Sequence, residues 1–209
     1  MNLLVLGATG PTGRHVVDQA LAAGHRVTAF VRDPAKLPVR YERLAVVSGD
    51  LTADGPALLD ATRGQDAVIS AIGVGQSFAS RRLFELSMPA VIAAMREAGV
   101  KRLVQISAFG VGDTFAQIPL FPRLFVRTLL AGIYDDKERG DAILRKSDLD
   151  WTIVYPAGLT NGTPNGRYRF GEHLEMHGFP TVARADVADL MLKAAADPAM
   201  IHRRLLVAS

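Results

Sequence analysis

An apolar run, Leu3-Leu4-Val5-Leu6, is broken by Gly7-Ala8-Thr9-Gly10-Pro11-Thr12-Gly13 and gives way to a stretch of helical periodicity. This reads as a strand, a glycine turn and a helix start. A strand that turns so tightly into a helix leaves the first helical N–H groups unpaired and aimed at one spot, beside the positive end of the helix dipole. A pyrophosphate fits there. Gly7 permits the turn, Gly10 lets phosphates approach the backbone with no Cβ in the way, and Gly13 lets the helix pack on the strand. Thr9 and Thr12 add hydroxyl donors, and Pro11, between them, is counted with the cofactor-binding residues.

The rest of the chain repeats that alternation. Strands are expected at residues 2–6, 26–31, 44–47, 67–70, 102–107, 151–155 and 205–208. Helices are expected at 12–23, 55–61, 81–98, around 123–146 and at 184–195. Apolar strands separated by helices are buried on both faces, which predicts a single-domain, doubly wound α/β Rossmann fold over 1–209. Its mostly parallel sheet takes the order 3-2-1-4-5-6. Two Gly- and Pro-rich stretches, 109–122 and 158–181, interrupt the rhythm after strand C-terminal ends. Ligands sit at those ends in open α/β sheets, so both stretches are expected to wall a substrate pocket.

Composition narrows the classes. With 209 residues, 49% of them hydrophobic, the chain can bury a full core. The absence of cysteine excludes disulfides, thiolate nucleophiles and cysteine-held metals. The net charge of +3 is too small and dispersed for nucleic acid, though it suits an anionic cofactor. No secretory leader pattern precedes the first strand and no apolar run is long enough to span a bilayer, so a cytoplasmic location is expected.

The second strand ends Val31-Arg32-Asp33, where such folds meet the adenosine ribose. An acid would accept from both ribose hydroxyls, whereas a guanidinium grips a 2′-phosphate in a fork. Arg32, with Lys36 as a second cation, points to NADP(H). Asp33 complicates this, since it faces the ribose if the strand ends one residue later. Asp50, followed by Leu51, has two readings, a bond to the adenine amino group or a cap on the next helix. Ala71-Ile72-Gly73 allow backbone to run beside the cofactor, or form a plain tight turn. Pro156, at the end of the sixth strand, is counted with the cofactor-binding residues.

These residues together resemble the atypical short-chain dehydrogenases with NmrA-like or NAD(P)H-binding domains, and within them the flavin reductase / biliverdin-IXβ reductase group. The likeness covers nearly the whole chain. It rests on the 7–13 turn, Val31-Arg32-Asp33 with Lys36-Leu37-Pro38, Gly64-Gln65-Asp66-Ala67-Val68-Ile69 and Ile106-Ser107-Ala108-Phe109. It continues through Leu144-Arg145 to Ser147, Trp151-Thr152-Ile153-Val154 and Arg184-Ala185-Asp186-Val187-Ala188. The resemblance implies that the glycine turn holds the pyrophosphate, Arg32 and Lys36 the 2′-phosphate, and that Ser107 borders the nicotinamide.

Many short-chain dehydrogenases pair a tyrosine with a lysine one helical turn on, which lowers the phenol's pKa for proton donation. Aligned on Leu144-Arg145, the lysine falls at Lys137 and the tyrosine position at Ile133. Tyr134, the nearby phenol, is displaced around the helix. Either Tyr134 has taken over as donor, or hydride placement suffices and solvent protonates the product, as in flavin reductases. Tyr134 also reads as an amphipathic residue at a helix start, and Lys137 as an ion partner of Asp141. Gly158 stands where the biliverdin-reducing group can carry a histidine, which argues against biliverdin.

The remaining candidates are weaker. His173 and His177 share a helical face but have no third ligand, so no metal is expected. The apolar segment 115–130, with Ile118-Pro119-Leu120-Phe121-Pro122 at its heart, suits an oligomer face, a membrane-touching patch or a pocket wall, with core packing the default. Arg184 and Asp186 are expected to pair and cap the last helix. The leading expectation is an NADPH-dependent oxidoreductase passing hydride to a small planar acceptor such as a flavin, quinone or conjugated carbonyl, with Ser107, Tyr134 and Lys137 as candidate catalytic residues. The alternative is a non-catalytic NmrA-like NADP sensor.

Overall fold

The computed structural model describes residues 1–37, 41–74, 82–117, 130–164, 166–176 and 178–209. Strand β1 (Asn2–Leu6) sends Leu3 and Val5 to one core cluster and Leu4 and Leu6 to another. Successive strand side chains point to opposite faces, so a run that is apolar at every position has to be covered twice. Helices α1 (Pro11–Ala22) and α5 (Arg184–Ala196) cover the first face with Val16, Val17, Leu190 and Met191. Helices α2 (Gly55–Thr62), α3 (Leu83–Ala98) and α4 (Ala131–Arg145) cover the second with Leu58, Phe84, Met95 and Leu144.

The other strands are β2 (Arg26–Val31), β3 (Leu44–Ser48), β4 (Ala67–Ser70), β5 (Arg102–Ile106), β6 (Asp150–Pro156), β7 (Gly158–Thr160), β8 (Arg169–Gly171), β9 (Thr181–Ala183) and β10 (Arg203–Ala208). The main sheet runs β3-β2-β1-β4-β5-β6-β10-β8, which contains the expected 3-2-1-4-5-6 order. Strands β1 to β6 and β10 pair in parallel, and β8 closes the edge antiparallel to β10. The order reverses between β1 and β4, so the C-terminal ends of these strands open a crevice at the glycine turn.

Several expectations need correction. β3 is not buried on both faces: it is the edge strand beside β2, with Val46 38% exposed. The stretch 158–181 is not all loop, since β7 and β9 pair in a small separate sheet and β8 joins the large one. These segments are three residues each, too short for periodicity to reveal. Helix α4 starts at Ala131; the first part of the expected 123–146 helix lies outside the described residues. Arg184 and Asp186 do not cap α5, which has Ala183 at its N-cap. Instead Arg184 reaches the Asn161 amide oxygen at 2.7 Å and Asp186 accepts from the Gly166 N–H at 3.1 Å, tying the 159–166 loop to the helix. Among the described residues no helix is long and apolar enough to cross a membrane.

Candidate active site

The glycine turn is built by close backbone approach. Gly7 has φ +76°, and a Cβ there would sit 2.6 Å from the Ala71 carbonyl oxygen at the end of β4. The Ala71 N–H in turn donates to the Leu6 carbonyl at 2.9 Å, so the Ala71-Ile72-Gly73 backbone lies directly against the turn. A Cβ on Gly13 would collide with the Gly7 carbonyl, which is how closely α1 packs. Gly10 differs. Its N–H closes the turn onto Gly7 at 2.9 Å, and a Cβ there would meet only that same carbonyl, at 3.2 Å, with open space beyond. No side chain caps α1. Uncapped N–H groups behind an open glycine face fit a dinucleotide diphosphate, with Thr9 and Thr12 beside it.

Arg14 was not singled out by the sequence, yet it braces this region. Its guanidinium donates to the Thr9 carbonyl at 3.2 Å and to the Lys36 carbonyl at 3.0 Å, joining the glycine turn to the 34–36 turn. Nothing in the 7–13 pattern signals that role. β2 ends at Val31, leaving Arg32 exposed. Asp33 caps the short turn by accepting from the Ala35 N–H at 3.1 Å, and lies 3.8 Å from the Lys36 ammonium. Its carboxylate therefore serves the turn and faces Lys36, and Arg32 is exposed on the same rim.

Asp50 accepts from the Thr52 N–H at 2.8 Å and from its hydroxyl at 2.6 Å; these bonds, with the Arg32 charge, lower its pKa. The reading of Asp50 as a helix cap is overturned: Asp54 occupies the N-cap of α2, and its carboxylate accepts from the Asp50 N–H at 2.6 Å. Leu51 packs against the second core cluster.

Beyond the end of β5, Ser107 continues the ladder through its N–H to the Val154 carbonyl at 2.7 Å. Its hydroxyl donates to Asp141 Oδ2 at 2.6 Å. Lys137 directs Nζ to the Ser107 carbonyl at 3.4 Å and lies 4.2 Å from the centre of the Phe84 ring. The structure thus brings Ser107 and Lys137 together in a buried cluster. Burial lowers Lys137 to about 8, against the fields of Asp141 and Asp136. Burial raises Asp141 to about 6, opposed by its bonds to Ser107 and Tyr155 and by the Lys137 charge. Burial, followed by the nearby Asp141 charge, pushes the Tyr155 phenol well above its ordinary value.

Tyr134 is directed elsewhere. Its hydroxyl donates to the Phe109 carbonyl at 3.3 Å, and burial raises its pKa. Ile133 is buried. Asp141 and Tyr155 entered no candidate set, although the 137–141 spacing and a tyrosine one residue before Pro156 were the available signals. The Pro156 carbonyl accepts from Phe109 N–H at 2.9 Å, fixing the loop after β5 to the end of β6.

A cleft of about 370 Å³ lies between the short helix Gly112–Gln117 and the 173–176 segment, lined by Gln117, His173, Leu174, Glu175 and Met176. The Arg204–Asp113 ion pair, 2.7 Å, anchors that short helix to β10. A Cβ on Gly158 would approach the Pro180 carbonyl to 3.2 Å, a local packing reason for glycine. His177 and residues 118–129, most of the apolar segment, lie outside the described residues.

Residues 7–198 match the family described as NAD(P)H-binding. An uncharacterised chloroplast protein of Arabidopsis thaliana is 34% identical, over 78% of this chain and 61% of its own length. The photosystem II assembly factor Ycf39 of Synechocystis is 29% identical, over 78% of this chain and 46% of its own. The chain thus spans about half to three-fifths of the length of these relatives. Among solved structures, the anaerobillin reductase ChuY of Escherichia coli O157:H7 superposes with a TM-score of 0.83 at 25% identity, covering 100% of this chain and 97% of that one.

Proposed function

Because the chain belongs to the NAD(P)H-binding family, a Rossmann group with short-chain-dehydrogenase-like and reductase-like members, we propose that it is an NADPH-dependent reductase of a small planar organic acceptor. The observation that carries this reading is the pairing of an open, uncapped phosphate cradle at Gly10 with a buried polar cluster at Ser107, both at strand C-terminal ends. When bound, the dinucleotide supplies a hydride from nicotinamide C4.

The chain's own residues do the rest. The N-terminus of α1, with Thr9 and Thr12, holds the diphosphate, and Arg32 and Lys36 hold the 2′-phosphate. Arg14 keeps those two sites in register through its bonds to Thr9 and Lys36. Asp50, Leu51, Ala71, Ile72, Gly73 and Pro156 line the remaining length of the cofactor. Ser107 borders the reacting ring, and Lys137 fixes the Ser107 backbone. The acceptor takes the cleft lined by Gln117, His173 and Met176, between the short helix Gly112–Gln117 and the 173–176 segment.

A second reading has its own support. Tyr134 is turned to Phe109, Ile133 occupies the family's phenol position, and one relative is an assembly factor, which suits a redox sensor without turnover. Steady-state NADPH consumption with a panel of flavins, quinones and conjugated carbonyls separates the two. The reductase reading expects saturable turnover that Gly10→Val abolishes; tight binding with no turnover across the panel supports the sensor.

A further inference from the structure

We propose that Asp141 is the proton store of this site, a positioning residue that loads the Ser107 hydroxyl to protonate the acceptor. The inference rests on the placement of Ser107 beside the reacting ring. Ser107 Oγ and Asp141 Oδ2 are 2.6 Å apart, and the two residues are only 4% and 2% exposed, so the hydrogen bond between them is largely shielded from bulk water. A buried carboxyl bonded to a hydroxyl has two arrangements. As carboxylate it accepts from Ser107; as acid it donates to Ser107 Oγ and frees the serine hydrogen for another acceptor.

The surroundings hold both forms within reach. On its own helix Asp141 faces Lys137, Glu138 and Arg145, and from β6 the Tyr155 phenol donates to it. Helix α3 contributes the uncharged Phe84 ring against Lys137. The 112–117 segment contributes Asp113, paired with Arg204 and within the field of Arg145. Burial disfavours the carboxylate while Lys137 and Tyr155 support it, which places the group near 6 rather than at either extreme.

The step balances. The acceptor's reducible double bond receives the hydride supplied by the dinucleotide at one atom. At the other atom it takes the Ser107 proton, Ser107 Oγ takes the Asp141 proton, and Asp141 remains as a carboxylate facing the Lys137 ammonium. The acceptor has gained two electrons and two hydrogens, and the dinucleotide is oxidised. Once product leaves, water returns a proton through Ser107 to Asp141.

Two measurements on the protein test this. Carbon-13 NMR of labelled aspartate, without cofactor, is expected to show an Asp141 carboxyl titrating near 6, with a midpoint that rises in Ser107→Ala because a bond to the carboxylate is lost. In NADPH turnover, wild-type kcat is expected to fall about tenfold per pH unit above that midpoint. Asp141→Asn is expected to give a flat profile about 10²-fold lower on the acid side.

A wild-type carboxyl that titrates at ordinary aspartate values overturns the proposal with no variant needed. So does a midpoint indifferent to Ser107→Ala. Absence of NADPH binding by the unaltered protein would sink the dinucleotide reading and this step with it. Intact binding and turnover with an unchanged pH profile in Asp141→Asn would sink this inference alone.

Discussion

On the proposed reading Arg32 and Lys36 hold the 2′-phosphate, and the neighbouring Asp33 is engaged in capping its own turn. Loss of a charge-assisted phosphate contact costs on the order of 1.5–3 kcal/mol, roughly tenfold or more in affinity. Calorimetry of Arg32→Ala is therefore expected to show that loss for NADP and little change for NAD; an equal loss for both means Arg32 does not read the 2′-phosphate. Tyr134, bonded to the Phe109 carbonyl, is poorly placed to deliver a proton. Tyr134→Phe is expected to lower the reduction rate less than tenfold, about 1.4 kcal/mol in the barrier, whereas Ser107→Ala costs at least as much. A loss of about 10²-fold or more in both Tyr134→Phe and Lys137→Met, with NADPH affinity intact, would restore the displaced pair as the acid.

In the β1–α1 unit, neighbouring glycines have separable duties. A Cβ at Gly13 runs into the Gly7 carbonyl, while one at Gly10 meets only the same carbonyl oxygen, in a tight contact of 3.2 Å that a small shift relieves. Gly10→Val is expected to fold with a wild-type circular-dichroism spectrum and bind no dinucleotide, whereas Gly13→Val is expected to lose the fold itself. Binding retained in folded Gly10→Val would place the phosphates elsewhere. This unit was legible in advance because strand, turn and helix signals coincide within a dozen residues, each with a local cause. The Ser107–Lys137–Asp141–Tyr155 cluster was only half legible. Its members come from the residue after β5, from α4 and from β6, and helical spacing alone cannot say that Asp141 turns to Ser107 while Tyr134 turns to Phe109. The three-residue strands at 158–183 escaped for a related reason, since their pairing is set by distant partners.

For the protein as a whole, the buried cluster sets a pH dependence of stability. Burial lets Asp141 keep its proton to about 6 in the fold, against the ordinary 3.8 when unfolded. The folded state binds more protons in that window, so stability falls as pH rises through it. Lys137, lowered from 10.5 to about 8, acts oppositely, and stability rises with pH across that higher window. Asn cannot titrate, so urea unfolding is expected to show Asp141→Asn gaining on wild type by on the order of 2–3 kcal/mol between about pH 4 and pH 7. A difference that stays constant with pH would mean the carboxyl is not held up by burial. The architecture was readable from two-sided apolar strands, and the cofactor class from one turn. The acceptor was not, because the cleft proposed for it is lined by irregular segments whose chemistry has no periodic signature. Hydride transfer itself is tested most directly by single-turnover oxidation of NADPH deuterated at C4 by the purified chain with a panel of flavins, quinones and conjugated carbonyls. The reductase account predicts a slower reaction with one of the two C4-deuterated epimers and unchanged cofactor affinity. Tight binding with no oxidation, or oxidation indifferent to deuterium at either C4 position, would contradict it.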